Sequence, residues 1–320
     1  MNKNKKIYLL IILVLLLTLP LFVSNLYYLH IINLVGIYTL VTIGLNILSG
    51  YTGQTSMGQA GFFAVGTYVT SLMMMNFDLP FFLALLIGVI LTSIFGLIIS
   101  IPAMKLSGPY LVLATVGFGE IVRLVLLNWT PVTKGAAGLT GIPFPEIFGL
   151  QIKTEKQFYY FIIIFVILGI YIAGRIAKSK IGRTFSAIRE DDLAAEAMGV
   201  NVAGYKTAAF VISAMFAGLA GGLFGTFSGV TSPDSFTFDD SISFLCMSVI
   251  GGNKTIIGAV VGAFVLTVLS EALRVFQGTR LIIYGFILIF TVIYMPNGLV
   301  GIIENLKSKI LMKKENKSME

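Results

Sequence analysis

Few side chains in this sequence could do bond-making chemistry. One histidine, His30, and one cysteine, Cys246, leave no histidine cluster, thiolate metal set or disulfide frame. The closest approach to a phosphate loop, Gly252-Asn253-Lys254-Thr255, lacks the G-x-x-x-x-G-K-[ST] spacing and the soluble strand that should precede it. Two Glu-x-x-Arg pairs, Glu120/Arg123 and Glu271/Arg274, can each meet on one helix face. Both fall near expected helix ends, where they read as structural pairs or rim contacts. No isolated carboxylate stands mid-helix as a proton or sodium relay would need. What remains is polar backbone and amide chemistry in two Gly-rich interruptions of apolar runs, and one acidic connecting segment. The chain reads as no enzyme, with no cofactor or metal of its own.

The elements that hold these residues must lie in a membrane. Of 320 residues, 57% are hydrophobic and 12% charged, and the mean hydropathy is +0.93. A soluble domain carries about 25% charged residues, so a soluble enzyme, a nucleic-acid binder and a disordered chain are all excluded. No Asp, Glu, Lys or Arg occurs from Ile7 through Phe77, room for about three crossings of roughly 20 residues. Similar runs occupy 79–104, 106–119, 157–174, 207–233 and 281–303. The net charge of +7 sits in short flanks of these runs, where basic residues set topology.

Lysines and arginines cluster at residues 3–6, 175–189 and 307–317. The positive-inside rule puts all three in the cytoplasm, so an even number of crossings must separate them. Six spans fit between the first two clusters: 7–24 (an uncleaved first span), 31–48, 57–76, 80–102, 106–127 and 158–174. Only three full-length runs follow, 205–230, 255–273 and 281–303. A short crossing over Ser241 to Gly252 restores parity. The expected fold is an all-α polytopic membrane protein of about ten transmembrane helices. It forms a single domain over 1–320, with a cytoplasmic loop over 175–205 and a basic cytoplasmic tail over 304–320.

Irregular backbone within a bilayer survives only where protein buries it or where it lines a cavity. Two such places stand out: Leu48 to Gln59, and Val249 to Thr255. Paired broken segments in two halves point to an inverted-repeat transporter. The expected pathway or gate residues are Asn46, Ser49, Gly50, Gly53, Gln54, Ser56 and Gln59 from the first, with Gly251, Gly252 and Asn253 from the second. Span 205–230 carries two rows of small residues, one through Ala214, Gly218 and Gly222, the other through Ala217, Gly221, Gly225 and Gly229. Four-residue spacing lets another backbone approach closely. Packing within the subunit, a sliding helix and a subunit interface all fit that pattern.

The most informative segment is Ile181 to Lys206. Glu190 to Met198 reads as a short helix, with Glu190, Asp191 and Asp192 at its positive end and Gly199 as its stop. Leu193, Ala194, Ala197 and Met198 share a face. Three acids make it a poor ligand for anionic lipid and favour docking to a protein. This segment resembles the coupling loop of ABC importer permeases at Ala194, Ala195, Glu196 and Gly199, preceded by Ala187 to Glu190. Leu45 to Gln54, Ala114 to Asn128 (with Gly117-Phe118-Gly119-Glu120), Gly135 to Pro143 and Gly251-Gly252 are similar to branched-chain amino acid ABC permeases of the LivM type. In order, they cover most of residues 40–300.

The resemblance implies a subunit of a heteromeric importer for branched-chain amino acids in the plasma (inner) membrane. Its partners would be a second related permease, two cytoplasmic ATPases carrying ATP and Mg, and an extracytoplasmic substrate-binding protein. Nucleic acid would play no part. Closure of the ATPases would drag the docked helix and rock the permease between two states. Glu196 and Gly199 would set the docking, while Arg189, Glu190, Asp191, Asp192, Leu193 and Ala195 complete the coupling surface. Urea and short-chain amide importers resemble the same family. A stand-alone channel or ion-coupled carrier is the reading from a different class.

Overall fold

A computed structural model describes residues 25–106, 108–147 and 149–273, together with 18–20, 23, 282–286, 289 and 298–301. The expected spans 7–24 and 281–303 lie largely outside these residues; Arg274 and the tail from 304 lie wholly outside them.

Six long helices carry the fold: α1 (Leu26–Leu45), α2 (Gln59–Phe77), α3 (Phe81–Ala103), α4 (Pro109–Asn128), α6 (Glu155–Lys178) and α9 (Val202–Ser228). All six are long and apolar enough to cross a membrane. Shorter helices are α5 (Thr130–Thr133), α7 (Lys180–Glu190), α8 (Asp192–Ala197), α10 (Phe238–Gly251) and α11 (Ile256–Ala272). Two small two-stranded pairings, Leu139–Thr140 with Val230–Thr231 and Glu146–Ile147 with Leu150–Gln151, decorate one end. We call that the loop end. The opposite end, where α6 turns into α7, is the elbow end.

The helices sort into an interior and an outer set. The most apolar windows of α1 (with the turn that continues it), α2 and α9 are 67% buried, those of α3, α4 and α6 only 28%. On α3, Leu83, Leu86, Ile90, Ile94, Leu97 and Ile101 are exposed. A contiguous apolar face of this size needs lipid or protein to cover it.

Small residues let α9 sit between α2 and α3. The Gly218/Gly222 row faces α3: an added Cβ would come within 2.7 Å of the Thr92 Oγ1 at Gly218, and would meet Leu85 at Gly222. The Gly221/Gly225 row faces α2, where a Cβ would lie 2.8 Å from the Thr67 amide nitrogen at Gly221 and 2.6 Å from the Ser71 Oγ at Gly225. Close backbone approach supplies dispersion contacts where lipid removes the hydrophobic drive. Thr67 uses the approach, donating to the Gly221 carbonyl across the interface at 2.9 Å.

At the loop end, His30 and Asn33 of α1 bind the Glu155 carboxylate, which opens α6, at 2.9 and 2.8 Å. Arg123 bridges Glu120 at 2.6 Å and Asp234 at 3.6 Å, tying α4 to the turn before α10. Glu271 accepts from the Tyr27 hydroxyl at 2.5 Å.

Helix α10 starts beside Asp234 at the loop end, and the segment after it reaches Glu190 at the elbow end. Its 14 residues span about 21 Å at 1.5 Å per residue, short of the roughly 30 Å hydrocarbon core. Irregular backbone follows at 252–255.

Gly221→Val drives a branched side chain into the α2 backbone and should lower the thermal unfolding midpoint in detergent, with an overpacking cost of about 1–3 kcal/mol or more. Gly117 on α4 has open space around it, so Gly117→Ala should leave the midpoint unchanged or slightly raised.

Candidate functional site

The two Gly-rich interruptions meet at the elbow end. Helix α1 runs into a π-helical turn, Asn46–Tyr51. Widening the helix frees backbone groups, and hydroxyls answer them: Ser49 donates to the Leu45 carbonyl at 2.8 Å and Thr52 to the Leu48 carbonyl at 2.6 Å. The turn aims the buried Asn46 side chain at the α10–α11 break. Its Nδ2 donates to the carbonyls of Gly252 and Thr255, both at 3.2 Å. Its Oδ1 accepts from the Lys254 amide at 3.1 Å. One carboxamide therefore satisfies three backbone groups of the other broken segment.

Glycine makes this meeting possible. A Cβ on Gly50 would overlap the Asn46 Oδ1 and stand 2.8 Å from the Lys254 amide nitrogen. Gly252 holds φ +126°, in the region that favours glycine. Gly251 packs against α11 so closely that a Cβ would lie 2.9 Å from the Gly262 amide nitrogen.

The elbow grips both breaks from below. Ser179 ends α6 and caps α7, accepting from the Gly182 amide at 3.4 Å. Helix α7 buries Gly182, Phe185 and Ile188 along one face. That brings Arg189 and Glu190 to its last turn. Arg189 donates to the Gly50 carbonyl, and Glu190 accepts from the Lys254 Nζ at 2.8 Å. Adjacent residues of one helix thus hold the two broken segments. Lys254 keeps the Glu190 carboxyl below its usual range, and Lys206, at 2.7 Å, does the same for Asp192. Each pair favours its ionised carboxylate, and that contribution is lost as pH falls through the lowered value.

The expected single helix over Glu190–Met198 is corrected here. Glu190 closes α7, and the chain breaks at Asp191 (φ −160°, ψ 111°). Asp191 caps α8 by accepting from the Ala194 amide at 3.0 Å. Three acids do not share one helix start, because Asp191 gives up helical geometry to cap. Helix α8 stops ahead of Gly199, φ +83°, with the Gly199 amide on the Glu196 carbonyl and the Val200 amide on the Ala195 carbonyl. Within α8 only Ala195 is buried. Leu193 and Met198 are 76% and 86% exposed, and Glu196 and Gly199 are exposed beside them.

The other expected pathway residues divide. Gly53 lies against Arg189, where a Cβ would be 3.2 Å from its Cγ. Gly53 and Gln54 line a hollow of about 650 Å³ with Ile188, Arg189, Asp192 and Lys206. Ser56 is buried, its hydroxyl accepting from the Gly58 amide at 3.4 Å. Gln59 lies apart from the Asn46 contacts and donates to the Ser213 hydroxyl of α9 at 2.7 Å. Asn253 sits in the break.

None of these residues lines the cavity at the other end. That space, about 450 Å³, lies among α1, α2, α9, α10 and α11, and Tyr38, Phe63, Phe224, Phe244 and Met247 form its apolar walls. Sequence reasoning missed it, since aromatics scattered over apolar helices carry no distinguishing period. Helix α7 was also missed; the Ser179 cap and the Gly182, Phe185, Ile188 spacing were its available signals.

The family described as branched-chain amino acid transport system / permease component matches residues 27–292. The high-affinity branched-chain amino acid transport system permease protein LivM of Escherichia coli K12 is 33% identical over 93% of this chain and 75% of its own length. LivM of Salmonella typhimurium is 32% identical over the same shares. A probable branched-chain amino acid transport permease protein LivH of Methanocaldococcus jannaschii is 25% identical over 83% of this chain and 89% of its own. No solved structure matches. With its six long apolar helices, this is a multi-pass membrane protein, and the chain belongs to the branched-chain amino acid transport system permease family.

Proposed function

We propose that this chain is the membrane-spanning permease subunit of an ATP-driven importer for branched-chain, hydrophobic amino acids. The elbow carries this reading. An exposed short helix, with apolar Leu193 and Met198 among Asp192 and Glu196, is joined through α7 to both broken segments. Such a lever needs a soluble partner, and an ATPase bound there would move it. The elbow end is then cytoplasmic and the loop end faces outward. Ten crossings, with both chain ends inside, satisfy the basic clusters. The partners are a second related permease, two ATPases that carry ATP and Mg, and an extracytoplasmic binding protein.

In this arrangement the protein works by differential contact. Arg189 and Glu190 hold the breaks together in one arrangement of the elbow, and displacement of α8 by its ATPase releases the Gly50 and Lys254 contacts so that the breaks part. A ligand or partner shifts such an equilibrium only by binding one arrangement better than the other. ATP binding to the partner subunits supplies that difference.

Uptake of labelled leucine and labelled urea, with and without this gene, tests the cargo. Leucine uptake should vanish with the gene and with ATP depletion, while urea uptake should not change; the reverse pattern would assign an amide importer.

The docking surface has its own test. Leu193→Asp changes a side chain that touches little in the free chain, so insertion should be normal. Co-purification of the ATPases and leucine uptake should each fall at least tenfold, and Gly199→Trp should do the same. Normal uptake in both variants would remove α8 from the coupling path.

A further inference from the structure

We propose that the loop-end cavity is a contact site for the transported amino acid, its apolar side chain against the aromatic wall and its ammonium toward the acidic rim. This rests on the importer reading above. The cavity, about 450 Å³, falls within the roughly 300–1,000 Å³ usual for small-molecule sites.

The wall is one connected set of rings from four helices. Tyr38 meets Phe244 at 5.5 Å, Phe63 meets Phe244 at 5.6 Å, and Phe63 meets Phe224 at 5.2 Å. Met247 closes the far side, an adaptable apolar surface suited to branched aliphatic groups. Such a wall adds apolar contact for a branched side chain, which urea lacks.

The independent pointer to a ligand is Thr267. It lines the cavity, is 5% exposed, and its hydroxyl has no hydrogen-bond partner among the described residues. Thr42, Thr67, Thr92 and Thr226 all turn their hydroxyls back to the carbonyl four residues earlier; Thr267, like Thr70 and Thr231, does not, and of these three only Thr267 lines the cavity. A buried hydroxyl left open is costly unless something fills its place. Asp239, Asp240 and Glu271 ring the same space, and no lysine or arginine occurs among its described lining residues. The carboxylates favour the positive end of a zwitterion, leaving its carboxylate to hydroxyl donors such as Thr267.

Position supports the assignment. On α1, Leu34 and Tyr38 line the cavity, and Thr42 and Asn46 follow at four-residue steps. On α10, Ser243 and Met247 line it, and Gly251 follows. The Thr42 hydroxyl, its hydrogen given to the Tyr38 carbonyl, touches the Met247 sulfur at 3.6 Å, between the cavity and the Asn46 contacts. The two features are therefore opposite ends of one seam between α1 and α10. Parting that seam at Asn46 would extend the cavity toward the elbow.

The test uses the complete importer in proteoliposomes, with a diazirine-bearing leucine analogue as the probe. During ATP-driven uptake, photolabel should map to Ser243–Met247 and be displaced by leucine but not by urea. Thr267→Val keeps the shape and removes the unpaired hydroxyl, so its melting temperature should be unchanged or higher. Labelling and leucine uptake should nonetheless fall about tenfold, the weight of one buried hydrogen bond. Leucine uptake with label only elsewhere, or a Thr267→Val variant that transports normally, would overturn the site and leave the importer reading standing. No leucine uptake by the unaltered importer would overturn the importer reading, and this site with it.

Discussion

The architecture turns on one buried carboxamide. Asn46 answers three backbone groups at the α10–α11 break, sharing the Gly252 carbonyl with the Thr255 hydroxyl. Backbone groups buried away from water must be answered by protein, so the break stands where protein supplies the partners. Each orphaned group would cost about 1–3 kcal/mol. The π-helical turn exists in the place that aims Asn46 at the break, and Gly50 is open enough to let the two segments touch. Arg189 and Glu190 then reach the same two segments from α7. Fastening and handle are one construction.

The interior around that point is stiff. Glycine rows let α9 lie against α2 and α3 with backbone-to-backbone contact, and close-packed interfaces have two arrangements or one rather than a continuum. Movement in such a body falls to seams held by hydrogen bonds rather than by long glycine rows. The α1–α10 seam is the candidate. It contains a cavity at one end, one sulfur contact in its middle and hydrogen bonds at the other end. Hydrogen bonds exchange partners at small net cost, whereas parting α9 from α2 would expose apolar backbone contacts wholesale.

Much of this was legible in the sequence. Charge-free runs located the six long helices to within a few residues, since burying a charge in lipid is the strongest penalty a helix meets. Gly199 announced the stop after α8, and the short apolar run from Ser241 to Gly252 falls on helix α10 and the break after it. The elbow was not legible as two helices, because Ser179 sits between Lys178 and Lys180 and was absorbed into a charge cluster. Nor does any local pattern pair Asn46 with Gly252, 206 positions away. The cavity was equally hidden: Tyr38, Phe63 and Phe244 look like any lipid-facing aromatics until four helices bring them together.

The most direct measurement follows the two breaks through a transport cycle. Spin labels at exposed Thr55 and Ile257, in a Cys246→Ala background, report their separation by electron–electron double resonance. Without nucleotide, one distance is expected. With ATP trapped on the partner ATPases a second, longer distance should appear, and Asn46→Ala should populate it without ATP. A single unchanged distance in importers that are accumulating leucine would contradict the central claim that the Asn46 fastening opens during transport.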